Sequence, residues 1–151
     1  MKADPHRDDI HAIEALVDRQ FASMSWGPKA PADWNNFAAD FLPDASLYAS
    51  ARPAKRQSVG AFIERMQSIA GTKLLSFHET VLGTEIRVFG HIAVAVAACK
   101  MLENGTDMKR GVEMLLLVKD EGVWRIVAQA WDTEGPLKQI PINLLGRTKP
   151  A

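Results

Sequence analysis

Gly111-Val112-Glu113-Met114-Leu115-Leu116-Leu117-Val118-Lys119, then Asp120-Glu121-Gly122, then Val123-Trp124-Arg125-Ile126-Val127-Ala128-Gln129-Ala130-Trp131-Asp132-Thr133: two runs rich in aliphatic and aromatic residues flank a short link ending in glycine. Such a link cannot hold a crossover helix, so the runs pair as an antiparallel hairpin. With Lys119 opposite Val123, Val118 faces Trp124, Leu116 faces Ile126, Met114 faces Ala128 and Arg110 faces Asp132. The other face carries Glu113, Leu115, Leu117, Arg125, Val127, Gln129 and Trp131. Apolar side chains therefore occupy both faces of the hairpin, and each face needs a cover.

Upstream of the hairpin, alternation continues through Lys73–Phe89 and Ile92–Glu103, again with short links at Gly90-His91 and Asn104-Gly105. Earlier still the period changes. Ile10, Ile13, Leu16, Val17, Phe21 and Met24 recur at helical spacing, with Asp8 or Asp9 as N-cap. Trp26-Gly27-Pro28-Lys29-Ala30-Pro31 interrupts that helix. A second helix then places Trp34, Phe37, Ala38 and Phe41 on one face and ends at Pro43-Asp44. Ser46–Ser50 reads as a short strand, and Ser58 caps a third helix through Phe62, Ile63, Met66 and Ile69, which Gly71 stops. Three helices around one short strand, followed by four long strands, is an α+β pattern with helices on one face of a sheet. No repeat or linker divides residues 1–151, which read as a single domain.

Lysine plus arginine equals aspartate plus glutamate at 18 each, so no net field attracts nucleic acid or an anionic membrane. The basic run Arg52-Pro53-Ala54-Lys55-Arg56 has no stacking aromatics and reads as a solvated loop. Cys99 is the only cysteine and lies among small apolar residues, the setting of an inert core thiol in a reducing compartment. Neither a signal core in Met1–Arg7 nor a membrane-length apolar run is present, so a cytoplasmic protein is expected. No metal-ligand spacing, phosphate loop or nucleophile elbow occurs, and no cofactor or metal is expected.

The chain resembles the nuclear transport factor 2-like superfamily, which includes SnoaL-like polyketide cyclases, ketosteroid isomerase and scytalone dehydratase. The similarity is carried by Phe41-Leu42-Pro43-Asp44-Ala45, Phe77-His78-Glu79, Phe89-Gly90-His91-Ile92-Ala93 and the C-terminal series Arg110-Gly111, Trp124-Arg125-Ile126, Trp131-Asp132-Thr133-Glu134 and Ile140-Pro141. That last series is similar to a bacterial group without an assigned activity. The resemblance implies a cone-shaped, cystatin-like fold: three N-terminal helices packed on a strongly bent antiparallel sheet that encloses a pocket. Ketosteroid isomerase would place an aspartate where Tyr48-Ala49-Ser50 stands and a tyrosine on the first helix, where Phe21 is the aromatic residue. Its mechanism does not carry over.

Glu79 shares a face with Leu75, Phe77 and Val81, so a carboxyl group sits among apolar side chains and burial favours its protonated form. It is the candidate general acid or base. The structural alternative is a carboxylate satisfied by an arginine or by backbone. Glu113 shares a hairpin face with Gln129 and Trp131; if that face is the concave one the three line the pocket, and if it points to solvent or a dimer partner Glu113 is polar surface. Tyr48 and Arg110 are candidate polar anchors for a ligand, with Trp131 as a wall. Arg110 opposite Asp132 equally suits a cross-strand ion pair. The leading function is a small-molecule pocket for an apolar substrate, serving cofactor-free acid/base chemistry of isomerase, dehydratase or cyclase type, or ligand binding alone. The competing class is a noncatalytic homodimeric interaction module whose pocket is filled by side chains. A homodimer through the sheet is expected from the apolar second face, and Ile140–Leu145 is expected to pack on the domain or its partner.

Overall fold

Helical spacing in the N-terminal half resolves into α1 (Arg7–Ser23), α2 (Trp34–Ala39) and α3 (Val59–Ile69), separated by strands β1 (Phe41–Tyr48) and β2 (Arg56–Gln57). The four long strands are β3 (Phe77–Phe89), β4 (Ile92–Glu103), β5 (Asp107–Asp120) and β6 (Val123–Thr133), and a short 3-10 turn follows at Ile142–Leu144. The computed structural model describes residues 4–146; Met1, Lys2 and Ala3 of the N-terminal stretch read above lie outside them.

Several boundaries differ from the sequence reading; β3 begins at Phe77 rather than Lys73, and β5 at Asp107 rather than Gly111. His6, not Asp8 or Asp9, is the N-cap of α1, and it makes no capping bond from its side chain. Asp9 is engaged elsewhere: it accepts from Lys119 Nζ and Trp124 Nε1, each at 2.9 Å. Phe41 and Pro43 belong to β1 rather than to the second helix. Phe41 stands opposite Ile126 of β6, and the amide of Ile126 bonds the carbonyl of Asp40 at 2.8 Å, so strand pairing takes over where the helical pattern still ran. Arg56 is not loop: with Gln57 it forms β2 against Tyr48 and Leu47. Ser58 does cap α3, accepting from the Ala61 amide at 3.1 Å.

The six strands lie in the order β2-β1-β6-β5-β4-β3. β1 runs parallel to β6, and every other pairing is antiparallel. The β5–β6 turn is Glu121-Gly122, both at positive φ (51° and 78°), the conformation that suits the twist of a two-residue hairpin. Asp120 therefore faces Val123, and Trp124 faces Lys119 rather than Val118. Leu117 pairs with Ile126, but Leu116 pairs with Ala128, so Val127 is an extra residue on β6. This bulge reverses the faces along β6. Trp124 and Ile126 point inward near the turn, and Gln129 and Trp131 point inward beyond it. Strict alternation had placed Trp124 and Ile126 on the other face.

One core lies between the helices and the sheet, joining Ile13, Leu16, Val17 and Phe21 of α1 to Ala93, Ala95, Ala97 and Cys99 of β4 and Leu115 and Leu117 of β5. A second, smaller cluster forms on the sheet's other face, where Ile140 and Leu144 cover Ala98, with Leu82, Val96 and Val112 packed beside them. The expected packing of the C-terminal segment on its own domain is present. Gly83 makes room for it: a Cβ there would sit 2.1 Å from the Leu144 carbonyl oxygen. Among the described residues, no helix is long and apolar enough to cross a membrane.

Candidate functional site

Glu79 is held at its place by the start of β3. The Trp26 amide bonds the Phe77 carbonyl at 2.8 Å, the Phe77 amide bonds the Trp26 carbonyl at 2.9 Å, and the Glu79 amide donates to Ser25 Oγ at 3.0 Å. These bonds tie the strand to the segment following α1 and set the inward parity that Phe77, Glu79 and Val81 share. On β4 Val81 stands opposite Cys99, Cys99 stands opposite Gly111 of β5, and Glu113 stands opposite Ala97. Glu79 and Glu113 are thus diagonal to Cys99 from either side. Their reactive atoms, with the Cys99 sulfur, lie within 4.8 Å of one another.

Both glutamates are buried, at 4% and 7% exposure. Their carboxyl groups hydrogen-bond each other, and among the described residues neither has a cationic partner. Burial, the larger cause, pushes both above the ordinary carboxyl range, and for Glu113 the negative charge of Glu79 adds to the rise. Two like charges this close in a dry site are not both tolerated, so the pair retains a proton. Cys99 is buried as well; its thiol donates to the Gly111 carbonyl at 3.5 Å, and burial followed by the two carboxyls drives its pKa up. It is a protonated partner rather than a nucleophile.

A row of amides continues the network. Gln129 Nε2 donates both to Glu113 Oε1 and, at 3.0 Å, to Gln20 Oε1, while Gln20 Nε2 donates to Gln129 Oε1 at 2.7 Å. Gln20 is wholly buried. The reciprocal amide pair couples the orientations of Gln20 and Gln129, and the bond to Glu113 Oε1 selects the one in which Gln129 presents an N–H to Glu113. Every buried side-chain polar atom among the described residues has a partner.

These groups face a cavity of about 210 Å3. Phe37, Leu47, Phe62, Met66, Phe77 and Trp131 supply most of its apolar wall, with Glu79, Glu113 and Gln129 as the polar part. Phe62 meets Trp131 edge-on at 5.6 Å and stacks on Phe37 at 5.5 Å, which fixes the wall. The volume lies below the common ligand-pocket range of about 300–1,000 Å3 and above the roughly 150 Å3 of an apolar cavity that holds benzene. A larger cleft of about 600 Å3 opens outside, between Trp26, Pro28, Trp34 and Leu75. No titratable group lines it.

Of the residues selected from sequence, Glu79, Glu113, Gln129 and Trp131 come together here. Tyr48 and Arg110 do not. Tyr48 is 38% exposed at the end of β1, where the outward parity of the strand turns its ring from the cavity. Arg110 bonds Glu134 at 2.8 Å rather than Asp132, and Asp132 instead takes Lys138 at 3.0 Å. Two one-residue shifts are the cause: the Glu121-Gly122 turn sets Asp120 rather than Lys119 opposite Val123, and the bulge at Val127 adds the second, so that Val112 stands opposite Asp132. Leu75, read on the same face as Glu79, precedes β3 and is exposed. Gln20 was legible in principle, as the polar residue on the otherwise apolar stripe of α1. Cys99 lies among small apolar residues along its strand but touches two carboxyls across it. Glu79, Glu113 and Cys99 are also the set of groups among the described residues with the spacing to ligate a metal ion.

Residues 8–132 match the family model described as "Putative lumazine-binding", and the chain belongs to that family, within the nuclear transport factor 2-like superfamily. A protein of unknown function from Silicibacter pomeroyi, described as NTF-2 like, has 22% identity and a TM-score of 0.63 over 87% of this chain and 100% of its own. An uncharacterised protein with a cystatin-like fold from Caulobacter vibrioides has 20% identity and a TM-score of 0.65 over 85% and 92%. A hexachlorocyclohexane dehydrochlorinase from Novosphingobium barchaimii has 10% identity and a TM-score of 0.67 over 86% and 89%. At these identities the shared property is the fold. No curated protein matches the chain in sequence.

Proposed function

We propose that the inner cavity binds a small, largely apolar molecule and that the Glu79–Glu113 pair exchanges a proton with it, as cofactor-free acid/base chemistry of isomerase, dehydratase or cyclase type. One observation carries this reading: two buried carboxyls hydrogen-bond each other, without a cation, where an apolar cavity turns polar. A structural ion pair would have opposite charges. A pair of acids sharing one proton holds a donor and an acceptor side by side, with both carboxyls held above their ordinary range by burial, an arrangement that suits a general acid and a general base. The protonated member donates to a ligand oxygen and its ionised partner accepts a proton from carbon or oxygen. Gln129, oriented by Gln20, keeps Glu113 Oε1 as an acceptor and so favours placing the shared proton on the side facing Glu79. The fold-level likeness to a protein named as a dehydrochlorinase, whose named substrate is a chlorinated six-membered ring, agrees in ligand size and polarity. A strongly bent sheet belongs to this reading, supported by one cavity taking residues from β1, β3, β4, β5 and β6.

The sheet homodimer stands as a second, compatible proposal. The C-terminal segment covers Ala98, Val96 and Val112, but Ile92, Val94, Met114 and Leu116 on the same outer face stay exposed. Against a purely interaction-module role, the cavity is open rather than filled by side chains.

Native mass spectrometry of gently purified protein, with titration of small ring compounds followed by NMR, tests the pocket. Ligand shifts centred on Trp131 and the Gln20 and Gln129 amides are expected. Once a turnover is found, Glu79→Gln removes the titratable proton while keeping shape, so it abolishes turnover with little change in stability. Shifts confined to the outer cleft, or full activity in Glu79→Gln, refute the reading.

A further inference from the structure

The residues around the cavity differ in one respect that bears on what enters it. Apart from Arg65 of α3, every one of them is buried or half-buried; Arg65 alone is exposed. It therefore marks the place where the cavity meets solvent, as the buried Glu79 and Glu113 mark its inner part. A second charged group, Glu103, also reaches the rim, but Lys109 neutralises it at 3.1 Å. The Arg65 guanidinium makes no ion pair or hydrogen bond among the described residues; its backbone carbonyl accepts from Ser68 Oγ. The mouth thus carries one uncompensated positive charge. The same side chain borders a neighbouring groove of about 580 Å3 to which Lys55, Arg56 and Ser58 also contribute.

We infer that the ligand is an apolar monoanion, its body in the cavity and its carboxylate at the mouth on Arg65, with a hydroxyl or carbonyl group at the inner end against Glu79 and Glu113. This rests on the cavity being the ligand site and adds the class of compound. An arginine fork suits a carboxylate through paired N–H bonds. The buried acid pair, holding a proton and repelling any second negative charge, excludes an anion from the inner end, so the anionic group has one end of the cavity open to it. A body slightly larger than a benzene ring fits the volume, since about 150 Å3 holds benzene and this cavity has about 210 Å3.

The test uses the full chain, as wild type, Arg65→Gln and Arg65→Lys. The probes are benzoate, phenylacetate and phenylpropanoate, each paired with its own primary amide, and binding is read by calorimetry and by NMR shifts at Trp131. Wild type should prefer at least one acid over its amide by about tenfold, and the preference should shrink as salt is raised. Arg65→Gln should bring acid and amide to equal affinity without weakening the amide, and Arg65→Lys should keep part of the preference. Acid and amide binding wild type equally in the cavity, or a preference that survives Arg65→Gln, overturns the inference and leaves the pocket standing. If no probe shifts Trp131 in any variant, the pocket reading fails and this inference with it.

Discussion

Glu113→Gln isolates the shared proton. The introduced amide keeps both hydrogen bonds of a protonated carboxyl, its oxygen accepting from Gln129 Nε2 and its NH2 donating to Glu79. What disappears is a titrating group. Burial raises both glutamates above 4.5, their ordinary value, so above that pH the folded chain holds a proton that the unfolded chain releases. Stability from this source is fully present below the unfolded value and is lost as pH rises through the folded one. The slope is about 1.4 kcal/mol per pH unit for each retained proton. Asp9, Asp132 and Glu134 shift the other way, held low by Lys119, by Lys138 and by the Ile140 amide respectively. Their contribution is present above their unfolded values and is lost as pH falls, outside the window used here, and it cancels between variants. Urea unfolding followed by tryptophan fluorescence from about pH 5 to about pH 8 reads the difference. Wild type should lose stability across that range, and Glu113→Gln should flatten the profile by about 1.4 kcal/mol per pH unit and be the more stable protein at the alkaline end. Parallel profiles would mean that no proton is shared. A uniform loss of about 3–5 kcal/mol in the variant would instead mean that an unpaired buried charge had been created.

Gly83→Ala drives a methyl into the Leu144 carbonyl, so it should lower stability by about 1–3 kcal/mol. In a chain lacking residues 137–151, which is itself expected to melt lower than the full chain, the same substitution should cost almost nothing, because the two changes remove one contact; equal costs in both backgrounds refute the packing. Sedimentation at micromolar concentration is expected to give a dimer that Met114→Lys dissociates, since Met114 is 58% exposed on the outer face. A wild-type monomer removes the dimer proposal.

The sequence by itself determined the class of the fold and grouped Glu113, Gln129 and Trp131 on one face of the hairpin, but not the inward parity of Trp124 and Ile126. Helical spacing through Phe21, the Ser58 cap, the short links at Gly90-His91, Asn104-Gly105 and Asp120–Gly122 and the alternation of β3 to β6 are local properties, set by backbone geometry and legible in one stretch of chain, although the last link proved one residue tighter than read. Glu79, Glu113, Gln129 and Trp131 were legible for the same reason, as polar or amphipathic residues on faces whose neighbours are apolar. Tertiary structure decided what those residues meet. That Glu79 pairs with another acid rather than an arginine depends on β3, β4 and β5 aligning over Cys99. That Arg110 takes Glu134 depends on the tighter Glu121-Gly122 turn and on one extra residue, Val127, in β6, each of which moves the register by one. The reach of Gln20 across to Gln129 spans 109 positions of chain, and the exposure of Arg65 at the cavity mouth exists only once α3 lies against the sheet. Alternation specifies a face, but a bulge changes the register and a neighbouring strand supplies the partner. Both are long-range choices, made by the packing of the whole domain.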